Sequence, residues 1–157
     1  MTESLADQIV QNINQATALY YRLILVVAPA GVGKTAALQD VQDQTGAHLV
    51  NVNLSLSRQL LELTERQRAL QIPRLLEKIA SNDNEIVLLD NIEVLFDISL
   101  KQDPLRLLQR LARNKTIVAA WNGTIDENSL IYATSVHPEY KRYPIQDFLV
   151  VSPTITT

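Results

Sequence analysis

The sequence predicts an α/β sandwich of three layers, with helices on both faces of a mostly parallel, five-stranded sheet. Three observations predict it. Short apolar runs recur without polar interruption, stretches with apolar residues every three or four positions separate them, and Gly, Pro, Asn or Asp marks most of the joins. At 157 residues the chain has the length of one ordinary domain, ~100–200 residues, and it contains no repeat, low-complexity tract or linker, so residues 1–157 read as one unit.

Leu5, Ile9, Ile13 and Ala16 or Tyr20 recur at helical spacing, so residues 1–20 read as an amphipathic helix packed on the core. Residues 23–27, LILVV, are short, branched and wholly apolar, as a strand buried on both faces must be. Residues 35–44 have helical composition and stop near Gly46. Residues 48–54 alternate apolar and polar and read as a second strand. Ser57 is placed to cap a helix through Leu60, Leu61 and Leu63, and Pro73 to open another through Leu75, Leu76 and Ile79. The polar run at 81–84 breaks the chain before a third buried strand, residues 86–89, that ends at Asp90. Asp103-Pro104 starts a helix with Leu105, Leu108 and Leu111 on one face. Residues 116–121 form the fourth strand, a polar loop and an irregular stretch run to Pro144, and residues 148–151 give the fifth strand.

Composition narrows the function. The absence of cysteine excludes disulfides, thiolate metal sites and cysteine nucleophiles, and a cytoplasmic location is the simplest expectation. No basic region precedes an apolar run at the start, and no apolar run approaches the roughly 20 residues of a membrane helix. A net charge of −3 argues against a dedicated nucleic-acid binder but leaves room for a local basic patch.

The strongest motif follows the first strand. Residues 28–35, APAGVGKT, match G-x-x-x-x-G-K-[ST] except that Ala28 stands at the first glycine, a replacement this motif commonly tolerates. A loop curled around a phosphate turns successive backbone N–H groups inward, and Gly31 and Gly33 permit the backbone this needs. The following helix offers its own unpaired N–H groups to the anion. The expected nucleotide-binding set is Ala28, Pro29, Ala30, Gly31, Val32, Gly33, Lys34, Thr35 and Ala36. Lys34 would reach the β- and γ-phosphates, and Thr35 would hold Mg²⁺.

Ligands of parallel sheets bind beyond the carboxyl ends of the strands, and other polar residues fall at such ends. Asp90 is the expected second Mg²⁺ residue. Asn91 follows it, where many ATPases place a water-polarising glutamate. Glu93 is the nearest substitute base, although on a strand or a helix it would point differently from position 91. Asn122 closes the fourth strand, placed to contact the γ-phosphate or orient water, or else to favour a turn before Gly123. Arg106, Arg110, Arg113 and Lys141-Arg142 are candidate arginine fingers or solvated faces, and the sequence does not choose. His48 and His137 have no companions at metal-ligand spacing.

This order of parts resembles the core of AAA+ and related P-loop ATPases, which implies strand order 5-1-4-3-2 and a sensor-1 place for Asn122. Residues 28–35, 51–58 with 60–64, 88–93, 103–106 and 137–140 resemble more closely the BrxF family, small P-loop proteins of type 3 BREX phage-defence systems. That resemblance implies a bacterial cytosolic protein acting with other BREX components while methylated host DNA is spared, and it makes Asp90, Asn91 and Glu93 part of the family's own motif. It establishes neither the purpose of nucleotide turnover nor any contact with DNA.

The expected function is therefore an ATP- and Mg²⁺-binding switch or assembly subunit, a homo-oligomer being one possible form. Lys34, Glu93 and Asn122 are its catalytic candidates, and turnover should be slow because no glutamate follows Asp90. The alternatives are a small-molecule kinase, for whose usual arginine-bearing lid the late segment offers only Lys141 and Arg142, and a scaffold that uses no nucleotide. Asn114-Lys115 lacks the aspartate that reads guanine, so ATP is the default base. Only 35 residues follow Asn122, which leaves no room for a helical lid domain beyond the fifth strand.

Overall fold

The apolar run at residues 23–27 forms the centre of the sheet in a computed structural model that describes residues 4–81, 83–133 and 136–153. The first three residues of the expected N-terminal helix, Asn82 of the expected break, Thr134 and Ser135 of the expected irregular stretch, and residues 154–157 lie outside the described residues. Five parallel strands, β1 (Leu23–Ala28), β2 (His48–Asn51), β3 (Ile86–Asp90), β4 (Thr116–Asp126) and β7 (Leu149–Val151), lie in the order β2-β3-β4-β1-β7. This is the expected 5-1-4-3-2 arrangement. Two further antiparallel strands, β5 (Ser129–Tyr132) and β6 (Lys141–Pro144), extend the sheet from the far end of β4.

Alternation along β1 creates the layers. Leu23, Leu25 and Val27 enter a core shared with helices α3 (Val52–Leu60), α4 (Glu65–Ala80) and α5 (Pro104–Leu111). Ile24 and Val26 enter the opposite core, under α1 (Leu5–Ala16) and α2 (Lys34–Thr45). Full burial of each such side chain is worth about 1.5–3 kcal/mol, which keeps a strand apolar on both faces at the centre. Helix α1 is shorter than the expected 1–20: it ends at Ala16, with Ile9 and Ala16 fully buried, and Tyr20 lies exposed beyond it.

Three expected elements differ. The second strand stops at Asn51, because the Asn51 side chain accepts the Leu54 N–H at 3.0 Å and caps α3 there; Ser57 lies within that helix. Pro73 does not open a helix but sits inside α4, which starts after Thr64 in a capping box with Gln67. A proline in a helix leaves the carbonyl four residues earlier without its donor. Here that carbonyl belongs to Ala69, and the Gln102 side-chain amide donates to it at 2.8 Å. Third, the polar loop after Trp121 is strand: β4 runs on to Asp126, and β5 and β6 fold back on it. Gly123 is a ladder residue rather than a turn, since a Cβ there would lie 1.9 Å from the Ile131 carbonyl oxygen.

Candidate functional site

Register brings the strand ends together. Ala28 pairs with Asn122, and Asn51 with Asp90, so the carboxyl ends of β1, β2 and β3 meet beside Asn122, which does not close β4 but lies where that strand runs on past its parallel neighbours. There Ala30, Gly31, Gly33, Lys34, Thr35 and Ala36 face Asp90, Glu93 and Asn122 across a cleft of about 470 Å³. Ala28 and Pro29 contribute carbonyls rather than walls, and Val32 stands exposed at the loop tip.

The loop owes its shape to two glycines. Gly31 (φ +82°) and Gly33 (φ +90°) are left-handed, with nothing within 4 Å of an added Cβ, so conformation and not crowding requires glycine. Gly33 caps α2 without a side-chain hydrogen bond, which leaves the first turn of that helix open to an anion. Lys34 is buried, and its Nζ donates to the Ala28 carbonyl at 2.8 Å and the Pro29 carbonyl at 2.7 Å. Burial lowers its pKa below the ordinary ammonium value, against the opposing pull of the Asp90 and Glu93 carboxylates.

The acid strand supplies an oxygen pair. The Thr35 hydroxyl donates to Asp90 Oδ2 at 2.6 Å, and the Asn91 N–H donates to Asp90 Oδ1 at 2.9 Å. A hydroxyl beside a carboxylate is a donor set for a hard cation such as Mg²⁺. Asn91 then turns the chain through φ +53° into a 3₁₀ turn, Glu93–Phe96.

Residue 93 opens that 3₁₀ turn rather than continuing a strand or an α-helix, the cases in which it was expected to point differently from position 91, and Glu93 lines the cleft beside Asn91. One Glu93 oxygen accepts from the Asn122 amide, the other from Asn53 Nδ2 at 3.2 Å. Asn53 in turn accepts the Val94 N–H at 2.8 Å and donates its own N–H to the Asn91 carbonyl. The sequence reading missed Asn53 because it placed residues 48–54 in a strand. Its signal was an amide just past a strand end, beside the acid-bearing strand. Gln39 and Asn91 also line the cleft.

The finger candidates lie elsewhere. Arg106, Arg110 and Arg113 are on or just after α5, Lys141 and Arg142 are on β6, and none lines the cleft. Among the described residues no group of three His, Cys, Asp or Glu is placed to hold a metal, and no helix is long and apolar enough to cross a membrane.

The ATPase family associated with various cellular activities (AAA) matches residues 24–138. A chain from the structure of Drosophila ORC bound to DNA is similar at 17% identity and TM-score 0.46, covering 93% of this chain and 41% of that one. A chain of C. elegans PCH-2 is similar at 20% identity and TM-score 0.39, covering 78% and 36%. The chain thus spans less than half the length of either. No curated protein matches it.

Proposed function

The chain belongs to the AAA family of ATPases, and on that premise we propose that it binds Mg·ATP at this cleft and hydrolyses it slowly, as a nucleotide-dependent switch. One observation carries the reading: a glycine loop, a buried lysine, a hydroxyl–carboxylate pair and a carboxylate held by two amides converge on one cleft.

The residues fit the ligand. The loop and the first turn of α2 would receive phosphate oxygens, Lys34 would exchange its two carbonyl partners for them, and Thr35 and Asp90 would hold the cation. Bound Mg²⁺ supplies charge neutralisation at the phosphates. Glu93 takes the proton of the attacking water, and Asn122 orients that water or contacts the γ-phosphate. Each Glu93 oxygen accepts one amide hydrogen bond, which leaves a lone pair on each to take a proton but lowers the basicity of the carboxylate. Hydrolysis is slow for that reason.

The resemblance of its motifs to the BrxF family supports a place for this switch in the bacterial cytosol, among the protein components of a BREX-type defence assembly. Calorimetry with Mg·ATP tests the site: the parent protein binds, and Lys34→Ala weakens binding at least ~100-fold. No binding by the parent overturns the reading. Phage challenge of the native host tests the pathway, with resistance lost in a Lys34→Ala strain; unchanged resistance overturns a role for nucleotide in defence.

A further inference from the structure

Charge is segregated on this acidic chain. The groove between the C-terminal halves of α4 and α5 is a cavity of about 470 Å³ that includes Arg74, Lys78, Arg110 and Lys115 in its walls, with Glu77 its one acid. A second cleft, sharing Arg110, adds Arg106 and Arg113. Six of the chain's 14 Lys and Arg therefore gather on one face, against two of its 17 acids, Glu77 and Asp103. Both helices end where β3 and β4 begin, so the groove lies at the opposite edge of the sheet from the glycine loop.

We propose that this groove binds the phosphate backbone of duplex nucleic acid. Four of the six cations are arginines, whose planar fork matches a phosphate. The ion pairs that occupy them are loose: Arg110 lies 3.8 Å from Glu77 and Arg106 3.7 Å from Asp103, all four side chains substantially exposed. Such pairs are worth about 0–1 kcal/mol, so a phosphate displaces them at little cost.

Two rival occupants fit less well. A protein partner wants an apolar or aromatic anchor at the centre of its interface. None of the chain's exposed large apolar residues lines the groove, where Ala80 and Leu111 are both buried. Single strands want a run of aromatic platforms for their bases; the α4–α5 cavity is lined by none, and the second cleft has only Tyr21, with the neighbouring Tyr20 ring already covered by Arg113 at 5.3 Å.

Anisotropy of a labelled 20-base-pair duplex of mixed sequence tests the proposal. With about four phosphate contacts the log–log salt slope is about −3.6, so affinity falls by about 100-fold between 50 and 200 mM salt. Arg74→Gln/Lys78→Gln/Arg110→Gln brings the slope to about −1 and weakens binding more than 10-fold at 50 mM, with the unfolding midpoint and Mg·ATP affinity unchanged. Should that triple variant fail to fold, Arg74→Glu, at an exposed position, carries the same test with a smaller loss. Lys34→Ala binds the duplex like the parent, which separates this surface from the nucleotide site. No saturable duplex binding by the parent, or parent-like binding by the variants, overturns the proposal. Stronger binding of a single strand, or equal competition by polyglutamate, overturns the choice of occupant.

Discussion

Glu93 is the residue on which the chemistry turns, and its neighbours decide how available it is. Two amides hold its carboxylate, one from within β4 and one from the first turn of α3. Asn53→Ala removes one of them and also leaves the Val94 N–H without its acceptor, at a cost of about 1–2 kcal/mol in stability. Turnover should nevertheless rise about 3-fold, because a carboxylate released from a hydrogen bond is the better proton acceptor. Glu93→Gln should lower turnover at least ~100-fold with Mg·ATP binding intact. Phosphate release measured beside calorimetry checks both, and parent-like turnover in Glu93→Gln would remove it as the base. Tyr132 offers a test against pH. Burial first, then the Glu139 and Glu93 carboxylates, push its phenol up to about 12. A raised folded pKa leaves its contribution whole below the unfolded value of ~10 and erodes it as pH rises toward 12. Unfolding free energy should fall by on the order of 2 kcal/mol more in the parent than in Tyr132→Phe across that window; equal slopes by denaturant titration would contradict the assignment.

At the scale of elements, what escaped the sequence reading was set by side chains acting across long separations. Pro73 inside α4 is tolerable because Gln102, 29 positions later, covers the carbonyl that proline orphans. Gln102→Ala should cost about 1–2 kcal/mol, and Pro73→Ala in that background should recover much of it by restoring the backbone donor. A double-mutant cycle on unfolding midpoints that finds the two changes additive would refute the coupling. The β4–β6 ribbon escaped for a related reason. Its residues are polar or mixed along the strand, and its base is fixed by aromatic packing: Phe96 stacks on Tyr132 at 3.5 Å, and Trp121 meets Phe96 at 5.1 Å and Tyr143 at 6.1 Å. Gly123 admits that packing, since any Cβ there meets the Ile131 carbonyl. Gly123→Ala should therefore cost about 3 kcal/mol, read as a lowered unfolding midpoint, although alanine is harmless in most strands.

Across the whole molecule, the parallel frame was legible because each central strand is apolar on both faces, as a strand covered by helices on both sides must be. The phosphate loop was legible for the opposite reason, local chemistry at fixed spacing. Glu93 was only half legible: its residue type was plain, but its direction depends on a left-handed asparagine that no periodicity announces. The same asparagine turn links the site to the ribbon. Trp121, the chain's one tryptophan, precedes Asn122 on β4 and packs on Phe96, which shares a 3₁₀ turn with Glu93. A nucleotide that rearranges the Asn122–Glu93 contact is therefore expected to disturb the tryptophan ring. Mg·ATP should change tryptophan emission saturably, with the midpoint calorimetry gives, and Lys34→Ala should abolish the change. Asn122→Ala should reduce the amplitude while leaving the affinity within a few fold. Emission that stays constant while calorimetry registers binding would mean that the ribbon does not sense the site, and that the nucleotide state leaves the molecule by another face.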